Sequence, residues 1–351
     1  MEGLNAELLQ LDRQETWRHV LLCSACRKQA LTLQLPAAEE TWEAGPAVFS
    51  GKVLRRAVKI LKERYSRSLA EEEAAGPLCE ELLALTAAEQ RERLLSDPRY
   101  ASAAVARRLL NSALACRPRN LRRISRLARL AIEVGQLLPA PEGLERAAIL
   151  GRAHVWWGEA ERDLGNYSFA IAAFQRATPD LETLPLLSPE RAEYCRLLAR
   201  LRHELRRHDE ALALLARAVD LYRELGEPQR AAECQIELGG MLYSELEAEA
   251  ALPFFAEAAA LFQDPGDFRA WLAARSGLAH CYADLGFREE ARTIGAELQR
   301  ESAGCAEEDR FRARRAAEDI EKALGDDGRA MAIHAKERQL ARAESEALEA
   351  R

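Results

Sequence analysis

Aromatic side chains are scarce in this chain, at 6% of residues, and glycine and proline together fill only 32 of 351 positions. Alanine, leucine, arginine and glutamate dominate instead, a mix that favours helix, supplies little β-branched material and argues against an all-β fold. Long apolar runs are missing as well. No window reaches the ~18 uninterrupted apolar residues of a membrane span, and the stretch from Ala211 to Leu221 is broken by Arg217 and Asp220. The first residues carry Glu2, Asn5 and Glu7 in place of a basic start and an apolar core, so no secretory leader and a cytoplasmic location are expected. The motifs G-x-x-x-x-G-K-[ST], G-x-G-x-x-G and G-x-S-x-G are absent and the six histidines are scattered, which points away from an enzyme. What is present is 48% hydrophobic and 30% charged residues, enough to bury a core, with a net charge of −7 that does not suit a general polyanion binder.

The strongest positive signal is an internal repeat. Gly165-Asn166-Tyr167 is followed by Ala170, Phe174 and Ala177 and preceded by Trp157-Gly158. The frame returns as Leu198-Ala199 with Ala211, Leu215 and Ala218, as Leu238-Gly239 with Ala251, Phe255 and Ala258, and as Leu278-Ala279 with Gly286 and Ala291. The reference alanines 170, 211, 251 and 291 are 41, 40 and 40 residues apart. Small residues at fixed offsets let two helix backbones approach while large ones fill between, so each copy predicts an antiparallel helical hairpin. The pattern resembles the tetratricopeptide repeat, at a period longer than the usual ~34 residues. That resemblance implies an all-α fold, a right-handed α-solenoid of stacked hairpins with one concave face.

Arg99 to Leu138 predicts a degenerate first copy, whose second helix carries Leu121, Ile124, Leu127, Ala128, Ala131 and Val134 on one face. Breakers separate the copies at Pro139 to Gly143, Thr178 to Pro189, Gly226-Glu227-Pro228 and Asp264 to Asp267, with Ser188 and Asp267 placed to cap the helices that follow. Upstream, Leu4 to Val20 and Val53 to Leu69 predict amphipathic helices, Ala44 to Gly51 a loop, and Thr86 the cap of a short helix ending at Ser96-Asp97-Pro98. Downstream, Glu307 to Leu324, with Phe311, Ile320 and Leu324, predicts a capping helix, and the charged tail beyond Gly325 a weakly docked one. The expected division is a helical head at 1–35, a connector at 36–98, the solenoid at 99–301 and a cap with its tail at 302–351.

His19, Cys23 and Cys26 spell H-x3-C-x2-C. A helix ending near His19 and a turn holding two thiolates can aim three ligands at one point, as tetrahedral zinc requires, with Glu2, Glu7, Asp12 or water as the fourth. The alternative is two thiols and a buried imidazole at a helix turn. The motif resembles that of the zinc-containing anti-sigma factors of bacteria, which implies structural zinc and a zinc-dependent transcription regulator that grips a sigma factor. The head from Arg18 to Cys26, taken with Gly158 to Ala177 and Glu210 to Gly226, is similar to a group of bacterial proteins that join such a head to a long tetratricopeptide solenoid. This likeness covers about two thirds of the chain and implies a bacterial, cytoplasmic, non-enzymatic interaction protein. Cys116, Cys195, Cys234 and Cys281 stand singly within apolar helical pattern, as small core residues do.

Between Pro98 and Ile132 there are nine arginines and no acidic residue. Arg117, Arg119, Arg122, Arg123, Arg126 and Arg129 form a candidate patch for an anionic partner, since arginine pairs with phosphate and carboxylate alike. No aromatic interleaves them for base stacking, so nucleic acid is disfavoured. The other reading is a solvated face paired with acids on neighbouring helices. On the inner face of the solenoid the repeat frame places Arg152, Glu159, Arg162, Arg196, Arg200, His203, Tyr243, Ser276 and His280. Such a groove suits an extended acidic peptide or an amphipathic helix, with an ordinary solvated helix surface as the alternative at each position. Glu159 and Arg200 stand where repeats that clamp a C-terminal carboxylate would carry asparagine, which disfavours that mode. The function expected is a protein-interaction scaffold.

Overall fold

The computed structural model describes residues 41–44, 47–50, 66, 70–116, 120–138, 143–262 and 267–325. Two short strands, β1 (Thr41–Ala44) and β2 (Ala47–Ser50), pair antiparallel with Thr41 opposite Ser50 and Ala44 opposite Ala47. The loop expected from Ala44 to Gly51 is therefore corrected to a hairpin, built from Thr, Trp, Val and Phe, residue types that suit a pleated backbone. Every other regular element among the described residues is helical.

The chain divides into two compact units, Met1–Leu201 and Arg202–Arg351. The first holds α1 (residues 70–84), α2 (Ala87–Ser96), α3 (Ala103–Ala115), α4 (Leu121–Gln136), α5 (Gly143–Asp163), α6 (Tyr167–Glu182) and most of α7 (Pro189–Glu204). From α3 to α6 each helix packs on the next. Thr86 makes the expected cap of α2, closing a capping box with Glu89. The degenerate repeat is a real hairpin of α3 and α4, with Leu109, Leu110, Ile124 and Leu127 in its core.

The second unit holds α8 (His208–Glu224), α9 (Pro228–Ser244), α10 (Ala248–Leu261), α11 (Phe268–Asp284), α12 (Arg288–Glu301) and α13 (Glu307–Ala323), again packed in sequence. Asp267 caps α11 by accepting from the Ala270 N–H at 3.1 Å. The ring of Phe255 fills the space left where Gly239 on α9 and Gly277 on α11 carry no side chain. α13 covers the end of the unit through Ala313, Ala317, Ile320 and Leu324. Phe311, named with Ile320 and Leu324 in the expected capping helix, is 46% exposed, because it lies across the helix from Ala313 and Ala317.

The repeat is written into the backbone. Ala170, Ala211, Ala251 and Ala291 are all 0% exposed, each in the first turn of the second helix of its hairpin. The four hairpin turns share one left-handed residue at the same place: Gly165 (φ 79°), Arg206 (φ 60°), Leu246 (φ 66°) and Gly286 (φ 85°). In each, the next amide reaches back to the carbonyl five residues earlier, at 2.8 Å for Asn166 to Glu161, 2.9 Å for Arg207 to Arg202, 3.1 Å for Glu247 to Leu242 and 2.8 Å for Phe287 to Tyr282. This reversal closes the carbonyls that a helix end leaves open and fixes where the second helix starts. No helix among the described residues is long and apolar enough to cross a membrane.

Candidate interaction site

In the first unit α5 carries two buried carboxylates two positions apart, and they serve different neighbours. Glu159, 0% exposed, accepts from Arg162 Nε at 2.8 Å and from Arg200 Nη1 of α7 at 2.8 Å. Glu161 accepts from the Ser125 hydroxyl of α4 at 2.6 Å, the Trp157 indole N–H at 3.1 Å and the Asn166 amide of the hairpin turn at 2.8 Å. Burial pushes the Glu161 carboxyl up, but the three hydrogen bonds and the Arg129 charge outweigh it and hold the group below its ordinary value of 4.5. Three of the expected groove residues, Glu159, Arg162 and Arg200, are thus gathered into one internal ion cluster. Arg152 on α5 and Arg196 on α7 are half-buried.

The arginine patch is partly engaged within the fold. Arg126 donates to the carbonyls of Leu83 and Leu85, at 3.4 and 3.1 Å, at the open end of α1. The Arg129 guanidinium lies 5.9 Å from the centroid of the Trp157 ring, within cation–π range. Arg122 and Arg123 are exposed on α4, while Arg117 and Arg119 lie outside the described residues. His19, Cys23 and Cys26 lie outside them too, as do Leu4 to Val20, most of Val53 to Leu69 and the tail beyond Gly325.

In the second unit the expected face takes shape on α9 and α11. The Tyr243 and His280 rings are 6.1 Å apart and tilted by 40°, and Tyr243 is hydrogen-bonded to Asp284. Burial, that bond and the Asp284 charge push the Tyr243 phenol up to about 12, so it stays a neutral donor. Burial also keeps His280 below its ordinary value of 6.5, hence neutral. Ser276 lies one helical turn before His280, and its Oγ is buried without a hydrogen-bond partner among the described residues. His203 sits apart from this group, with its ring 5.1 Å from that of His208.

A cavity of about 620 Å³ opens in the second unit, lined by Phe262, Phe268, Trp271, Arg275, Glu297 and Cys305, with Arg275 and Glu297 paired. It was not foreseen from the sequence. Phe268 and Trp271, an i,i+3 aromatic pair at the start of α11 with rings 5.4 Å apart, is the signal that was available.

No family model and no curated protein sequence matches the chain. Solved structures do. The chain is similar to a variant form of the nearly identical TPR-like repeats of a putative kinesin light chain from Podosopora anserina, at 18% identity and a TM-score of 0.50 over 57% of this chain and 98% of that one. It is similar to BtubC (BKLC) from P. vanneervenii, at 19% identity and a TM-score of 0.53 over 64% and 92% of the two chains. It is also similar to the apo form of RapI, at 15% identity and a TM-score of 0.53 over 78% and 76%. At these identities the likeness establishes the fold: the protein is an all-α chain of tetratricopeptide-like helical hairpins.

Proposed function

We propose that the protein is a protein-interaction scaffold without catalytic chemistry of its own, which binds a peptide or helix on the face formed by the first helices of its hairpins. The observation that carries this reading is the group on α9 and α11, where the Tyr243–His280 ring pair and the unmet Ser276 hydroxyl share one half-buried face. Two rings offer contact area at little entropic cost, and the Ser276 hydroxyl enclosed at the same face has no hydrogen-bond partner among the described residues. Within the first unit, Arg152 and Arg196 place positive charge on the first helices of its own hairpins, which suits an acidic segment there.

The test is affinity capture from the native host with the tagged full chain, repeated with Tyr243→Ala, His280→Ala and the pair Arg152→Glu and Arg196→Glu. A partner held by the wild type is expected to be held at least about tenfold more weakly by variants whose thermal melts are unchanged. Equal recovery with all of them removes this face from the binding site. A second reading, a zinc-dependent regulator of anti-sigma type, rests on the spacing of His19, Cys23 and Cys26. It requires a sigma factor that copurifies with the wild type and is lost with Cys23→Ser.

A further inference from the structure

We propose that His203, His208 and Glu245 form a zinc(II) site that ties the turn between α7 and α8 to the end of α9. The three residues come from separate places in the repeat: His203 from the last turn of α7, His208 from the first position of α8, and Glu245 from the cap of α9. Their ligand atoms converge, all within 4.8 Å of one another. His208 Nδ1 lies 3.2 Å from His203 Nδ1 and 3.1 Å from Glu245 Oε1. Zinc bonds of ~2.0–2.1 Å at tetrahedral angles put neighbouring ligand atoms about 3.3 Å apart, so two edges of the tetrahedron are already close to length.

Protons satisfy this arrangement poorly. One proton cannot serve both contacts of His208 Nδ1: an N–H there donates either to Glu245 or to His203, and donation from His203 to it sets its lone pair against the Glu245 carboxylate. Two imidazoles and one carboxylate make a donor set that suits zinc and excludes the all-oxygen preference of magnesium and calcium. Three protein ligands leave a fourth position for water or an incoming group.

The backbone marks the same place. Of the four equivalent hairpin turns, two have glycine at the left-handed position, while Arg206 and Leu246 hold it in the other two. Arg206 lies between the two histidines and Leu246 directly follows Glu245. Strain is thus kept in the two turns that bring the ligands together, as it commonly is at functional sites.

The experiment uses the full chain carrying Cys23→Ser and Cys26→Ser, so that thiolates cannot supply the metal site. It is titrated with zinc chloride against a chromophoric chelator, with thermal melts in parallel. The expected result is one zinc per chain and a zinc-dependent rise in melting temperature, with binding lost in the double variant His203→Ala, His208→Ala and at least about tenfold weaker in Glu245→Gln. Zinc binding that is absent at micromolar metal, or equal in all three proteins, overturns the site. Should the histidine variant fail to fold, the cobalt(II) spectrum of the parent chain decides. Tetrahedral absorption without thiolate charge transfer, reduced in Glu245→Gln, upholds the proposal, and octahedral or absent cobalt absorption ends it.

Discussion

Leu246 is 91% exposed and has a φ of 66°, at the position that Gly165 and Gly286 fill in the equivalent turns. For a residue with a Cβ that conformation costs roughly 1–2 kcal/mol, partly offset because glycine has more freedom to lose on folding. Leu246→Gly is therefore expected to stabilise the chain by about 0.5–1 kcal/mol, read as a higher denaturant midpoint at unchanged slope. Gly286→Ala is expected to cost about 1 kcal/mol by the same measurement, wholly through the backbone, since no atom lies within 4 Å of where its Cβ would be. A Leu246→Gly variant weaker than wild type would show that the leucine makes a contact worth more than its strain. Glu159 poses a different residue-scale problem. Its carboxylate is enclosed by the guanidiniums of Arg162 and Arg200, so Glu159→Gln keeps the shape and removes the buried negative charge that the two share, while Arg162 keeps its pair with Asp163. The expected loss is about 3 kcal/mol, the lower end for a broken buried pair because Arg200 is partly solvated. A loss below about 1 kcal/mol would mean that solvent screens the cluster.

At the scale of the element, the glycines of the first helices separate close packing from helix propensity. A methyl group at Gly277 would run into the Phe255 ring, whereas Gly240, exposed on α9, has open space around it. Gly277→Ala is expected to destabilise by about 1–3 kcal/mol through overpacking, and Gly240→Ala to stabilise by up to about 1 kcal/mol through propensity. Equal effects in thermal melts would mean that Phe255 can swing aside. These elements were legible because the repeat fixes them: the buried alanines and the starts of the second helices at Tyr167, His208, Ala248 and Arg288 follow the spacing of 41, 40 and 40. The role of Glu159 was not legible. The repeat frame says which helix faces inward, but it cannot tell a groove residue from one whose charge is met by an arginine 41 positions away. Glu245 was missed for a related reason, since its approach to His208 depends on how one turn lies beside another rather than on any local spacing.

Across the whole molecule, buried neutral histidines set the response to acid. His154 in the first unit is held below its ordinary value of 6.5 by burial, aided by the Arg176 charge and opposed by its bond to the Leu150 carbonyl. His203 and His280 in the second unit are lowered by burial as well. A histidine depressed in the folded state stabilises fully above its unfolded value of 6.5, and that contribution is lost as pH falls through the folded value. Glu161 acts in the same sense, but only below its ordinary 4.5. Asp180, raised by burial from 3.8, acts in the opposite sense. The first losses on acidification therefore come from the imidazoles and fall on both units. Urea unfolding at about pH 7.5 and about pH 5.5 is expected to give lower stability at the acid value. His280→Asn, which cannot titrate, should reduce that difference for the second unit and leave the first unit's share, set by His154, in place. A stability that is flat across this interval would mean that these rings accept protons as readily folded as unfolded, and the neutral imidazole assigned to Tyr243's neighbour would have to be given up.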